Sequence, residues 1–319
     1  MIGQKILRFD MRVPDWGTPR AELYQAALDM CAYADDHGFD MVYLAEHHGV
    51  DDGYCPSSIT LAAAVAARTK KIEMRLSAIV VPLHDPLRLA EELAVLDIIS
   101  RGRVSLVAVG GYVASEFEMF DKEFATRGRA VEECINTLRA AWTGEPFEFR
   151  GRTVRVTPEP VNPNLEIYMG GAMPVSARRA GRIADGYISH DPALHAIYVE
   201  EAKKLGRKWT PLGGGGPAAL FISQNPDQTW TDIARHAIHE SESYGKWQNA
   251  GGVEGAYKHA TTLEQVKATG TYAVVTPDEA VAMCKDGLSM MFHPLLSGLN
   301  PEVGWQSLKL FVEKVLPRV

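Results

Sequence analysis

The stretch IEMRLSAIVVPLHDPLRLAEELAVLDIISRGRVSLVAV, residues 72–109, decides the fold of this 319-residue chain. An apolar run over 72–81 predicts a buried strand, and Asp85 followed by Pro86 signals the start of a helix over 86–99. A second apolar run, 104–109, predicts another strand. Two strands joined by a helix are typical of a βαβ unit, in which the strands are parallel.

The same alternation recurs on both sides of this unit. Predicted strands begin near residues 5, 39, 72, 104, 165, 187, 218 and 288. Eight parallel strands alternating with helices close a barrel. The sequence therefore predicts the α/β class and a (β/α)8 TIM barrel in a single domain over residues 1–319, with insertions after strands 4 and 7. The second insertion, Gly245–Gly270, has weak periodicity, and we expect it to be an active-site lid.

Composition and charge favour a small-molecule function. The chain has 40 acidic and 33 basic residues and a net charge of −7, whereas a nucleic-acid partner requires a concentrated basic surface. No segment reaches the roughly 20 apolar residues that span a bilayer, and the first residues lack a signal peptide. We therefore expect a cytoplasmic protein with neither nucleic acid nor membrane as a partner. The four cysteines are isolated, which indicates reduced, structural thiols.

Histidines follow three predicted strands at the carboxyl end, where barrel enzymes build their active sites. Glu46-His47-His48 ends the second strand, His84 follows the third, and His293 follows the last. Histidine and carboxylate from several strands bind catalytic zinc in many proteins. However, adjacent histidines on a strand point to opposite faces, and neither H-x-H nor H-x-x-x-H occurs, so we predict no metal. Histidines that only make hydrogen bonds in the core are a further alternative.

Glycines follow two other predicted strands. Gly110-Gly111-Tyr112 follows the fourth strand and Gly170-Gly171 the fifth, just before a helix that starts near Pro174. Such a loop aims backbone N–H groups at an anion, and Ser176 could add a hydroxyl. A tight turn that needs glycine for its geometry alone is the alternative. Neither G-x-G-x-x-G nor G-x-x-x-x-G-K-[ST] occurs, so no dinucleotide or triphosphate fingerprint is visible.

Four segments together resemble the bacterial luciferase-like family of flavin monooxygenases. The segments are GFDMVYLAEHH (38–48), AIVVPLHDPLRLAEE (78–92), LDIISRGR (96–103) and the G-G-Y-x-x-x-E-F pattern at 110–117. The similarity resumes at 167–186 and 288–311.

This resemblance implies a flavin across the carboxyl ends of the strands. Reduced FMN would react with O₂ to give a C4a-hydroperoxide that oxidises a small, largely apolar organic substrate. The catalytic histidine of the family matches His47, and its non-proline cis peptide, which supports the flavin ring, matches Ser77-Ala78. The remaining residues expected at the cofactor are Gly110, Gly111, Tyr112, Gly170, Gly171 and Ser176. Tyr54, His84 and His293 are expected to border the substrate pocket.

The resemblance leaves the cofactor and the activity open. An F420-dependent branch of the family transfers hydride without oxygen, but its sugar-phosphate dehydrogenases have a glutamate where this chain has Tyr112. The luciferases have an arginine where this chain has Gly110. An F420-dependent oxidoreductase and a flavin-binding protein with little turnover are therefore the alternatives to an FMN monooxygenase. A separate flavin reductase is the expected partner, because no NAD fingerprint is visible, and the resemblance implies a homodimer.

Overall fold

Strands and helices alternate along the chain, which confirms the predicted α/β class. A computed structural model describes residues 3–189, 191–213, 215–253 and 257–319. Within them, the strands are β1 (Lys5–Phe9), β2 (Met41–Leu44), β3 (Glu73–Val80), β4 (Val104–Val109), β5 (Phe147–Phe149), β6 (Arg152–Val154), β7 (Glu166–Gly170), β8 (Gly186–Ile188), β9 (Ala219–Ile222), β10 (Tyr272–Val275) and β11 (Met290–Phe292). The helices are α1 (Arg20–Asp36), α2 (Ser58–Arg68), α3 (Pro86–Ser100), α4 (Ala114–Met119), α5 (Arg127–Ala141), α6 (Pro174–Ile183), α7 (Pro192–Lys204), α8 (Pro226–Gly251), α9 (Leu263–Thr269), α10 (Pro277–Lys285) and α11 (Pro301–Leu310).

The chain forms two compact units, of which the first contains both ends of the chain. This unit comprises residues 1–43, 50–56 and 214–319. Its strands lie in the order β10-β9-β11-β1-β2, and β11 pairs in parallel with β1, with Phe292 opposite Leu7. Its core includes the rings of Phe39, Phe292 and Phe311, whose centroids are 5.0–5.6 Å apart. Such aromatic packing stabilises the unit through buried apolar area.

The second unit contains the βαβ stretch that decides the fold. It comprises residues 44–49 and 57–213. Strands β3, β4, β7 and β8 lie side by side in that order, and all three pairings are parallel. The peptide bond between Ser77 and Ala78 is cis, as the resemblance predicts. The register of β3 against β4 shifts between Ser77 and Ile79, which marks a bulge at the same place.

The structure adds elements that the sequence pattern did not indicate. A four-residue strand, β10, pairs with β9 in parallel, and α8 continues past the predicted end at Ser243 to Gly251. The predicted lid therefore begins inside α8 and ends just after α9, and its residues 254–256 lie outside the described residues. The lid assignment stays a prediction. The predicted insertion after the fourth strand, β4, contains the antiparallel hairpin β5–β6.

All four cysteines are buried and form no disulfide, as expected for reduced thiols. Burial raises the pKa of the Cys134 thiol to about 12. Among the described helices, none is long and apolar enough to cross a membrane.

A buried histidine in the first unit makes stability depend on pH. His236 donates from Nδ1 to the carbonyl of Ser297 at 2.9 Å and meets the edge of the Trp16 ring. Burial lowers its pKa from 6.5 to about 4, and the nearby Arg235 and His239 act in the same direction. As pH falls below 6.5 the unfolded chain takes up a proton that the folded chain does not accept until about pH 4, so stability falls across this window.

We expect the wild type to lose roughly 2 kcal/mol of unfolding free energy through His236 between pH 6.5 and about pH 4.5, since one pKa unit corresponds to about 1.4 kcal/mol. A His236→Gln variant lacks this titration and should show a correspondingly shallower loss. Urea unfolding at both pH values measures the difference. Equal pH slopes for the two proteins would contradict the assigned pKa.

Candidate functional site

A buried histidine–carboxylate pair lies where the second strand ends. His47 follows β2, and Glu116 lies on α4 in the same unit. His47 Nδ1 lies 2.7 Å from Glu116 Oε1, which also accepts the backbone N–H of His48 at 2.9 Å. A carboxylate can only accept, so Nδ1 carries the proton and Nε2 is the nitrogen that gains or loses one. This pair fixes both the orientation and the tautomer of His47.

The surroundings of His47 include an aromatic side chain from the predicted site. The ring of Tyr112 meets the imidazole edge-on, with centroids 5.9 Å apart. His47 is 8% exposed and Glu116 2%, so the pair lies in a mostly dry environment. The sequence analysis includes Glu116 only as part of the G-G-Y-x-x-x-E-F pattern and assigns it no role. Its place in the first helical turns after the glycines was the signal that could have identified it as the partner of a histidine.

A second cluster in this unit contains His84, which the sequence predicts to border the substrate pocket. Glu46 Oε1 lies 3.0 Å from His84 Nε2 and 3.1 Å from His48 Nε2. It also accepts the backbone N–H of Val80 at 3.2 Å. Burial alone would raise the pKa of Glu46, but the interactions with His48 and His84 outweigh it and lower the pKa to about 2. His47 and His48 thus face different partners, although both lie in the loop after β2 and not on the strand itself.

Small residues keep open the carboxyl ends of the central strands. Ser77, Ala78, Gly110 and Gly111 are only partly buried, although they adjoin fully buried strand residues. At Gly111, with φ +74°, a Cβ atom would lie 2.7 Å from a methyl carbon of Val80, so glycine is required there. The placement of a flavin at this strand end stays a prediction.

The loop before α6 suits an anionic group. Gly171 has φ +153°, and a Cβ there would lie 2.4 Å from Ser176 Oγ. Ser176 donates its hydroxyl to the carbonyl of Met173 at 2.6 Å, while the Tyr187 hydroxyl donates to the carbonyl of Gly171. The loop is therefore held by hydrogen bonds at the N-terminal end of a ten-residue helix, where backbone N–H groups and the helix dipole favour negative charge. The Ser176 hydroxyl is thus used within the loop, and the phosphate role of Gly170, Gly171 and Ser176 stays a prediction.

The first unit contains a separate buried network, which includes the predicted pocket residues Tyr54 and His293. The Tyr54 and Tyr244 hydroxyls lie 2.9 Å apart. Arg8 donates from Nη2 to Glu240 at 2.9 Å and to the Tyr244 hydroxyl at 3.1 Å. His293 is fully buried, with Nδ1 3.3 Å from Arg8 Nη1. The network joins residues that are distant in sequence.

A second arginine balances the carboxylates of this network. Arg12 is fully buried, and its Nε lies 3.2 Å from Asp10 Oδ2. Its guanidinium carbon lies 4.7 Å from the ring centroid of Tyr54 and 5.0 Å from that of Tyr244. Aromatic faces and nearby carboxylates stabilise a buried cation. Sequence reasoning missed Arg8 and Glu240, because they lie 232 residues apart in the chain. It also missed Arg12, although its partner Asp10 is only two residues away.

The structure thus divides the predicted site residues between the two units. The second unit holds His47, His84, the cis peptide, Gly110, Gly111, Tyr112, Gly170, Gly171 and Ser176, and the first holds Tyr54 and His293. Within each unit the assigned roles stay predictions.

Comparison with known proteins identifies the family. The parallel strands have small residues and histidines at their carboxyl ends, as in α/β enzymes. Residues 9–283 match the family described as luciferase-like monooxygenase. The chain belongs to this family, whose members include oxidoreductases of two kinds. It is 30% identical over 321 residues, 92% of either chain, to an F420-dependent glucose-6-phosphate dehydrogenase of Microbacterium testaceum.

Flavin-dependent relatives are also found. The chain is 28% identical over 202 residues to the oxygenase component of a flavin-dependent trigonelline monooxygenase of Acinetobacter baylyi, which corresponds to 61% of this chain and 55% of that protein. The solved structure of the oxygenating constituent of 3,6-diketocamphane monooxygenase from Pseudomonas putida, in complex with FMN, superposes with a TM-score of 0.74 at 20% identity, covering 100% of this chain and 99% of the other. This superposition shows a shared fold.

Proposed function

We propose that the protein is a flavin-dependent monooxygenase that uses reduced FMN and O₂ to oxidise a small, largely apolar organic substrate. The observation that carries this proposal is the buried pair of His47 Nδ1 and Glu116 Oε1, 2.7 Å apart, at the end of β2. One oriented imidazole suits an oxygenation site, because such a site needs a single positioned proton donor or acceptor in dry surroundings.

The residues of the second unit have separate tasks in this proposal. His47 holds or moves a proton at Nε2, and Glu116 is a positioning residue that orients the ring. Gly171 and the first turn of α6 hold the phosphate, while Ser77, Ala78 and Gly110–Tyr112 border the ring. Bound reduced flavin would supply the electrons and the reaction with O₂. The protein contributes orientation and exclusion of water.

A specific finding supports a second candidate, an F420-dependent oxidoreductase. Relatives named F420-dependent glucose-6-phosphate dehydrogenase align with nine-tenths of this chain at 26% and 30% identity. Tyr112 stands against their sugar-phosphate chemistry, since the resemblance places a glutamate at that position. A flavin-binding protein with little turnover remains the third reading.

The electrons are expected to come from a partner. The sequence has no G-x-G-x-x-G fingerprint for a nicotinamide cofactor, so a separate flavin reductase would supply reduced FMN. We propose that the protein acts in the cytoplasm as a homodimer, as the family resemblance implies.

Cofactor retention and oxygen labelling test the proposal. The purified protein is incubated separately with FMN and with F420, and each sample is passed through gel filtration. A substrate panel is then assayed with reductase-supplied FMN under ¹⁸O₂. We expect FMN to be retained and ¹⁸O to appear in a product. Retention of F420 with oxygen-independent turnover would establish the second candidate, and FMN retention without any product would indicate a binding protein.

A substitution in the α6 loop tests the phosphate position. Gly171→Asp should weaken binding of oxidised FMN by roughly 10–100-fold, because it places a negative charge where backbone N–H groups and the helix dipole meet phosphate. Gly171→Asn has nearly the same shape without the charge and is the matched control for backbone strain. Fluorescence titration of FMN measures both affinities. Equal losses in the two variants would mean that shape alone matters, and wild-type affinity in the Asp variant would move the phosphate elsewhere.

A further inference from the structure

We propose that Glu46, His48 and His84 form a binding site for a divalent transition metal, with Zn²⁺ as the best match. The three ligand atoms, Glu46 Oε1, His48 Nε2 and His84 Nε2, all lie within 4.8 Å of one another. They come from the loop after β2 and from the residue that follows the 3₁₀ turn Val81–Leu83. All of them belong to the second unit.

The two separations that involve Glu46 match the coordination shell of zinc. Zn²⁺ binds histidine nitrogen and carboxylate oxygen at roughly 2.0–2.2 Å, which in a tetrahedral site puts two ligand atoms about 3.3 Å apart. The carboxylate oxygen of Glu46 lies 3.0 Å from His84 Nε2 and 3.1 Å from His48 Nε2. Two imidazoles and one carboxylate are a ligand set that proteins use for Zn²⁺ with a fourth position open.

The position of His48 Nε2 is not explained by a well-aligned hydrogen bond. The His48 side chain is only 8% exposed, and its Nε2 lies 3.1 Å from Glu46 Oε1 without meeting the geometric criteria of a hydrogen bond. A hydrogen bond needs alignment as well as proximity, whereas a metal ion sits off the line that joins two ligand atoms. A buried imidazole nitrogen that is close to a carboxylate but not aligned with it is compatible with an ion bound to both atoms.

The outer contacts also suit a metal. The backbone N–H of Val80 donates to Glu46 Oε1 and fixes the carboxylate, which is the role of outer partners in metal sites. His84 is the most accessible of the three side chains at 22% exposure, so an ion can enter from its side. The ring of Phe120 meets His48 edge-on at 4.8 Å and shields that side chain from water.

A second group of three potential metal ligands, found among the described residues, shows why charge favours the first. Asp10, Glu240 and His293 also lie within 4.8 Å of one another. Arg8 and Arg12 lie against them, at 2.9 Å from Glu240 and 3.2 Å from Asp10. These two cations already neutralise the carboxylates and would repel a metal ion.

Zinc content measures the site directly. The full-length protein is stripped with EDTA, dialysed into metal-free buffer, equilibrated with micromolar ZnSO₄ and analysed for zinc per chain. We expect one Zn²⁺ per wild-type chain and an affinity at least about 100-fold lower in a His48→Ala/His84→Ala variant, because loss of even an outer partner costs roughly 10–100-fold. His37→Ala, which removes an exposed histidine on the surface, is the matched control and should keep one Zn²⁺.

Circular dichroism verifies that the variants are folded, and Co²⁺ gives a readout on the wild type if the double variant does not fold. Co²⁺ in this site should show the strong visible absorption of tetrahedral nitrogen–oxygen coordination. The proposal is overturned if the wild type takes up no zinc or shows no such absorption. It is also overturned if a folded double variant retains zinc with wild-type affinity, which would mean adventitious binding. Neither readout involves flavin, so the result is independent of the proposed function.

Discussion

A His47→Ala variant is expected to turn over roughly 10²–10⁴-fold more slowly than the wild type, the range for loss of a general acid–base group. Its affinity for FMN should stay close to normal, because the residues proposed to hold phosphate lie in the α6 loop. The measurement is product formation, with reductase-supplied FMN, from a compound that the wild type oxidises. Alanine leaves Glu116 in place, so the loss reports on the imidazole itself.

Two further variants show whether Glu116 acts through His47. Glu116→Gln keeps the size of the side chain but can donate a hydrogen bond, so it no longer enforces a proton on His47 Nδ1. We expect a smaller fall, on the order of 10-fold in kcat, with KM nearly unchanged. His37→Ala, at an exposed position, should keep full activity. Near-normal turnover of a folded His47→Ala protein would remove this histidine from the mechanism.

A Glu240→Ala substitution should destabilise the protein by about 3–5 kcal/mol, the range for removing one partner of a buried ion pair. Glu240 is fully buried, and its two oxygens accept from Arg8 at 2.9 Å and from the Tyr272 hydroxyl at 2.8 Å. Truncation leaves a guanidinium and a phenol without their acceptor in a dry interior. The change in unfolding free energy, measured by urea denaturation, tests the expectation.

A surface pair provides the contrast. Glu200 lies 2.7 Å from Lys204 on an exposed helix face, so Glu200→Ala should change stability little, because water already solvates both charges. A Glu240→Gln variant keeps the acceptor toward Arg8 and should fall between the two. If Glu240→Ala unfolds like Glu200→Ala, the buried network contributes no more than a surface pair.

The sequence predicts the regular part of this fold well, because hydrophobic periodicity and helix-start signals are local. Strand 104–109 and helix 277–285 have the predicted limits. The four-residue strand β10 was missed, since so short an apolar run carries little periodicity. The end of α8 was also missed, because residues 245–251 contain two glycines and their helix is maintained by contacts that the local pattern does not show.

Site residues can be predicted where they lie in a short sequence segment that resembles the family. The cis peptide at Ser77-Ala78 and the histidine after β2 follow from segments that resemble the family. Partners from distant parts of the chain cannot be predicted in this way. The contacts of Glu116 with His47 and of Glu240 with Arg8 are shown only by the structure. Glu46, His48 and His84 were considered as zinc ligands and rejected, because the local spacing gives no sign that His84 lies beside Glu46 and His48.

The four buried thiols determine how the chain tolerates oxidants. Oxidation of cysteine begins with an accessible thiolate, and here every thiol is buried, with the pKa of Cys134 raised to about 12. Hydrogen peroxide therefore meets no readily reactive thiol in the folded protein. Because its native thiols are buried, the protein should show little background reaction with thiol-directed labels. A single cysteine introduced on the surface would be the one thiol to accept a fluorophore or a spin label.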